Sequence, residues 1–172
     1  LAALAVASLA DGPAGFLRAV TAPGALAALR TTLLLSLVVA LVNGVLGTVV
    51  AWVLARDDFP GKRLVDALID IPFALPTIVA SIVMLALYGP ESPVGLHLNN
   101  TRAGVVVALA FVTLPFVVRS VQPVLAELEV DAEEAAASLG AGTWTTLRLV
   151  VWPAIRPAVI SGTALAFARA RG

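Results

Sequence analysis

Twenty-five consecutive uncharged residues, TTLLLSLVVALVNGVLGTVVAWVLA, separate Arg30 from Arg56. An α-helix rises about 1.5 Å per residue, so about 20 apolar residues cross the ~30 Å hydrocarbon layer of a bilayer. In lipid the backbone must satisfy its own polar groups, and a helix does so within a single segment. The run therefore predicts a transmembrane helix over about 31–55. Composition agrees, with 60% hydrophobic and 13% charged residues, against roughly 45–50% and 25% in soluble domains.

Further spans follow from the same reasoning. IPFALPTIVASIVMLALYGP, between Asp70 and Glu91, predicts a span over about 71–90. Pro72 and Pro76 should kink or unwind its first turns. AGVVVALAFVTLPFVV, between Arg102 and Arg119, predicts a third span over about 103–121, with the flanking arginines snorkelling or the helix running on through SVQPVLA. After Arg156, 12 uncharged residues lead to Arg169, too few to cross unaided, so 157–172 reads as an incomplete fourth span. The expected fold is an all-α polytopic transmembrane bundle, with 1–172 forming part of one membrane domain. The chain opens on Leu1 and its single methionine is Met84, which suggests a piece of a longer protein. LAALAVASLA then reads as the tail of a preceding span, followed by an interfacial loop.

Several chemistries are excluded. The chain has no cysteine and one histidine, His97, so thiolate sites, disulfides and histidine metal clusters are out of reach. Lys+Arg and Asp+Glu balance at 11 each, and no bulk charge points to nucleic acid. No glycine-rich phosphate loop followed by lysine occurs, and no acid, base and nucleophile converge at membrane depth. A non-catalytic chain is expected. Asp66 and Asp70 read as solvated helix ends, and His97 as a surface residue.

Arg56, Lys62 and Arg63 fall in one connection and Arg119, Arg148 and Arg156 in another, whereas the loop between them carries only Arg102. Basic residues mark the cytoplasmic side, which places the segment 122–153 there. Within it Leu125, Leu128, Ala132, Ala135 and Leu139 recur at helical spacing, while Glu127, Glu129, Asp131, Glu133 and Glu134 lie largely off that stripe. Gly140 can adopt the left-handed conformation that ends a helix, and Thr143 can cap a second helix running to Pro153. A solvated loop with ordinary caps would account for this pattern, although a mere connection could be far shorter.

Glu134-Ala135-Ala136, then Gly140, Val150 and Trp152-Pro153, resemble the cytoplasmic signature of permease subunits of binding-protein-dependent ABC importers. Val150 and Trp152 stand where isoleucine and leucine are usual, and both remain apolar. AWVLARDDFPGKRLVDALIDIPFALPT, YGPESPVG and LPFVVRSVQPVLAELEVDAEEAAASLGA are similar to the sulfate/thiosulfate permeases, above all their T-type subunit; molybdate and tungstate permeases share the layout. The resemblance implies a type I-like importer bundle in the cytoplasmic (inner) membrane of a bacterium. It implies that 122–153 is a coupling loop docking on ABC ATPase subunits through Glu134, Ala135, Ala136, Gly140 and Pro153. ATP and Mg would sit on those subunits, with no cofactor on this chain. A second homologous permease subunit and an extracytoplasmic sulfate-binding protein would complete the assembly, which lies in the lipid bilayer and has no nucleic-acid partner.

The first two long uncharged runs carry no charge to hold a dianion, so tight capture belongs to the separate binding protein. Neutral candidates for a substrate pathway are Asn43, Thr77 and Ser81, with backbone N–H groups freed near Pro72 and Pro76. The same residues suit a packing role: Asn43 beside Gly44 and Gly47 in close helix contact, Thr77 and Ser81 bonding back to their own helix. A structural or assembly membrane protein would explain the spans but not the Glu-Ala-Ala, Gly and Pro spacing.

Overall fold

The computed structural model describes residues 12–75, 77–93, 95–98, 100–128 and 130–171, and every regular element among them is helical. The chain divides into two compact units, residues 1–35 and 36–172. The first holds α1 (Gly12–Thr21) and the opening turns of α2 (Pro23–Arg56). Thr21 and Thr31 each donate to the carbonyl four residues earlier, Leu17 at 2.7 Å and Ala27 at 2.9 Å, which satisfies a hydroxyl inside an apolar helix. The expected preceding span at LAALAVASLA lies outside the described residues.

The second unit holds the rest of α2, then α3 (Lys62–Ala74), α4 (Thr77–Tyr88), α5 (Arg102–Glu127), α6 (Val130–Ser138), a single turn α7 (Thr143–Thr146), a π-helical stretch at Leu147–Val151, and α8 (Trp152–Ala170). Pro23–Arg56, Arg102–Glu127 and the continuous run Thr143–Ala170 are long and apolar enough to cross a membrane. A fourth crossing is available if the bent pair α3 and α4 counts as one. Their axes differ by 117°, and α3 ends where Leu75 turns extended (φ −86°, ψ 128°). The proline-rich break expected near Pro72 and Pro76 is there. Pro72 itself stays inside α3, and Pro76 lies outside the described residues.

Pro153 does not stop the second loop helix, contrary to the sequence expectation. Proline cannot donate to the ladder and crowds the preceding turn. Here the turn before it widens: Trp152 N–H bonds Leu147 O, five residues back, and the helix passes through Pro153 to Ala170. A π turn of this kind takes up one extra residue without breaking the helix. The 12 residues after Arg156 are thus the far part of a 28-residue helix that begins inside the loop.

The core joins α2, α5 and α8, and it is built from small and β-branched residues. Val39, Ala51, Val117, Val118, Val121, Leu125, Val151, Ile155 and Ala166 are all buried, while large apolar side chains such as Leu41, Val45, Val49, Ile160 and Leu165 point outward. Lipid is as apolar as leucine, so helix association rests on close packing of small residues and on buried hydrogen bonds. Glycine provides close approaches on both sides of α5. A Cβ on Gly47 would lie 2.7 Å from Val117 Cβ, and one on Gly162 would lie 2.9 Å from Val117 Cα. Val117 of α5 is therefore held between a glycine of α2 and a glycine of α8. Phe73 meets Phe116 edge to face, centroids 5.0 Å apart, which seats α3 against α5.

Candidate functional site

The segment after α5 is two helical pieces, and the single amphipathic stripe expected from Leu125 to Leu139 does not exist. Leu128 leaves the helix with extended torsions (φ −65°, ψ 114°), and α6 starts afresh at Val130. Leu125 is buried in the bundle, whereas Leu139 is 90% exposed. Three- and four-residue spacing cannot show where a helix has been interrupted.

The C-terminus of α6 closes as expected, on Gly140. Its φ of +84° lies in the left-handed region that glycine adopts without the Cβ penalty. Ala141 N–H donates to Ala136 O at 3.0 Å and Gly140 N–H to Ala137 O at 2.9 Å, the paired bonds of a Schellman turn. Gly142, extended at φ −73°, ψ 163°, precedes α7 without a side-chain cap; Thr143, expected as that cap, is instead the first residue of α7. The turn sets α6 and α7 as separate arms of a hairpin.

The two adjacent glutamates of α6 face different surroundings. Glu134 and Ala135 are exposed and Ala136 is half-buried, so Glu134, Ala135 and Leu139 stand open beside the turn. Glu133 is drawn inward and bonds Arg56, the last residue of α2. The Arg56 guanidinium also sits 5.9 Å from the Trp52 ring centroid. Pro153 is exposed on the first turn of α8.

A second ionic cluster lies between α3 and α5, and it corrects the reading of Asp66 and Asp70 as solvated ends. Arg119 donates twice to Asp70, Nε to Oδ1 at 2.8 Å and Nη2 to Oδ2 at 2.7 Å. Nη1 donates to Asp66 Oδ1 at 2.8 Å and to Gln122 Oε1 at 2.7 Å, and Nη2 also reaches Asp66 O at 3.1 Å. All five N–H donors of the guanidinium are used. Arg119 was expected only as a flanking charge, because the partners lie 49 and 53 residues away and no local pattern reports such a pairing. Replacing Arg119 with alanine leaves two neighbouring carboxylates without their cation. Their 40% and 52% exposure reduces the 3–5 kcal/mol typical of breaking a buried pair to about 1–2 kcal/mol. The check is a thermal or denaturant melt of the purified variant in detergent.

Among the pathway candidates, Asn43 is 1% exposed and uses Nδ2 to bond Ala110 O at 2.9 Å and Thr113 Oγ1 at 2.8 Å, pinning α2 to α5. Ser81 lines a pocket of about 450 Å³ with Met84, Tyr88, Asn100 and Thr101, at the end of α4 and start of α5 opposite the loop site. Thr77 opens α4, and its side chain is outside the described set. The structure does not bring Asn43 and Ser81 into one pocket. His97 is exposed.

The family described as binding-protein-dependent transport system inner membrane component matches residues 43–172. The sulfate transport system permease protein CysT of Synechocystis sp. is 48% identical over 179 residues, covering 100% of this chain and 63% of that protein. Its counterpart in Synechococcus elongatus is 50% identical over 159 residues, covering 88% and 57%, and that of Escherichia coli is 44% identical over 160 residues, covering 89% and 58%. The chain thus spans between 57% and 63% of the length of these relatives.

Proposed function

The chain belongs to the binding-protein-dependent transport system inner membrane components, and from that membership we propose that it is the membrane-spanning permease subunit of an ATP-driven importer for sulfate or thiosulfate. The observation that carries the reading is the hairpin after α5. A helix ended by a left-handed glycine presents Glu134, Ala135 and the nearly bare Leu139 on the side of the membrane marked by basic residues. Leu139 and the small residues beside it leave this surface uncovered and open to a partner. The partner proposed is an ATPase subunit, as family membership favours, with α6 as its coupling helix and Ala136, Gly140 and Pro153 shaping the hairpin rather than touching nucleotide.

In this reading ATP and Mg reside on two separate ATPase subunits, a second permease completes the membrane domain, and an extracytoplasmic binding protein delivers the anion in the inner membrane of a bacterium. The names of the relatives favour sulfate. The neutral lining around Ser81 suits passage of an anion already selected elsewhere, since a dianion held tightly at membrane depth calls for charge-assisted donors. Thr77 and Asn43 are proposed as lesser contributors, Asn43 chiefly by fixing α2 against α5. The test uses the full-length protein with its operon partners in a sulfate-uptake-deficient strain. Uptake of labelled sulfate and thiosulfate, with co-purification of an ATPase, is expected. Uptake of molybdate alone would overturn the substrate, and absence of any captured ATPase would overturn the importer.

A further inference from the structure

We propose that Arg56 is the positioning residue through which movement of the coupling helix α6 reaches the membrane span α2. The proposal rests on the coupling role given to α6 above. A helix that receives a stroke from a partner must be fixed to whatever it moves, and three features of α6 leave it poorly fixed by packing. The covalent link from α5 is not helical, because Leu128 is extended. No described side chain of α6 is fully buried. A cavity of about 270 Å³, lined by Trp52, Glu133, Ala137, Leu147 and Val151 among others, lies between α6 and the bundle.

Across that loosely filled space the ion pair between Arg56 and Glu133 is the side-chain bond that ties α6 to another helix among the described residues. Its two side chains are only 18% and 27% exposed. Arg56 Nε is buried with no acceptor among the described residues, so the guanidinium is held at a desolvation cost that the carboxylate offsets. A partly buried pair of this kind is poor as a source of stability and well suited to fixing register. Arg56 is also well placed mechanically. It ends the 34-residue helix α2, and it lies more than two turns beyond Gly47, where α2 is pressed against Val117 of α5. A displacement of Glu133 is therefore delivered to the end of a long, stiff helix that is packed on the bundle further along.

Adjacent residues take separate parts, with Glu134 facing outward to the partner and Glu133 inward to Arg56. The two roles separate experimentally in the full-length protein, assembled with its ATPase and second permease in proteoliposomes. Arg56→Glu places two carboxylates together, and it should leave ATPase capture and ATP hydrolysis in place while sulfate moved per ATP falls about tenfold. The exchanged pair, Arg56→Glu with Glu133→Arg, should regain at least half of the ratio, which ties the loss to the pair itself rather than to either side chain alone. Wild-type coupling in Arg56→Glu, or an exchanged pair no better than the single variant, overturns the proposal. If Arg56→Glu fails to insert, Arg56→Gln removes the charge, shortens the side chain and leaves two of the five N–H donors; it should also lose coupling, and full coupling in that variant is equally fatal. Failure of the wild-type protein to capture an ATPase would instead sink the coupling role of α6, leaving the two failures distinguishable.

Discussion

Glu134→Lys and Leu139→Asp are each expected to abolish uptake while leaving the protein in the membrane at near-normal levels. Glu134 is exposed and Leu139 is 90% exposed, so neither change removes a buried contact, and surface substitutions away from such contacts usually stay within about 0.5 kcal/mol. The damage falls on docking. A misplaced charge at an interface costs several kcal/mol, and an apolar anchor replaced by a carboxylate loses its pocket as well. Gly140→Val should act differently, since a Cβ there meets nothing within 4 Å. Its cost is the left-handed backbone alone, about 1–2 kcal/mol, and the consequence is a redirected α6. Immunoblots of membranes, labelled-sulfate uptake and ATPase co-purification distinguish these effects, and normal uptake in both Glu134→Lys and Leu139→Asp would leave α6 without a coupling role.

Gly162→Val should have the largest effect on the bundle itself. A Cβ at this position would lie 2.9 Å from Val117 Cα and 3.0 Å from Ser120 Cβ, and a backbone atom cannot swing aside as the tip of a side chain can. Overpacking of a core costs typically 1–3 kcal/mol; with valine against the backbone of α5, about 3 kcal/mol or more is expected. Loss of a monodisperse peak in detergent, or a steep fall in thermal midpoint, is the readout. Gly24→Val, where an added Cβ meets nothing within 4 Å, is the control and should behave as wild type. A Gly162→Val protein as stable as that control would mean that α5 and α8 do not pack through this glycine.

What could be read from the chain alone depended on how local the physics was. The helix over 31–55 was legible because a long, uncharged, apolar run favours one unbroken helix. Gly140 was legible because a helix that must end on positive φ nearly names its residue. The break near Pro72 and Pro76 was equally local. The stripe from Leu125 to Leu139 misled because periodicity is blind to an interruption at Leu128. Pro153 misled because a terminating residue can be absorbed by widening the turn before it. Arg119 with Asp66 and Asp70, and Arg56 with Glu133, were beyond reach for a different reason. Each pairing joins helices through the tertiary arrangement, and no spacing rule links residues 49 to 77 positions apart. For the same reason, nothing in the sequence separates Glu133 from Glu134.

The widened turn at Leu147–Val151 also determines which changes of length this helix can survive. It carries one residue more than an α-helical path needs, so removing a residue from 147–151 would let the turn tighten while the side chains beyond Trp152 keep their facing. Removing a residue anywhere from 154 to 161 would instead rotate the remainder by about 100°, turning Gly162 away from Val117 and Ala166 out of the core. Drift in chain length among descendants of this gene should accordingly collect just ahead of Pro153 and be purged behind it.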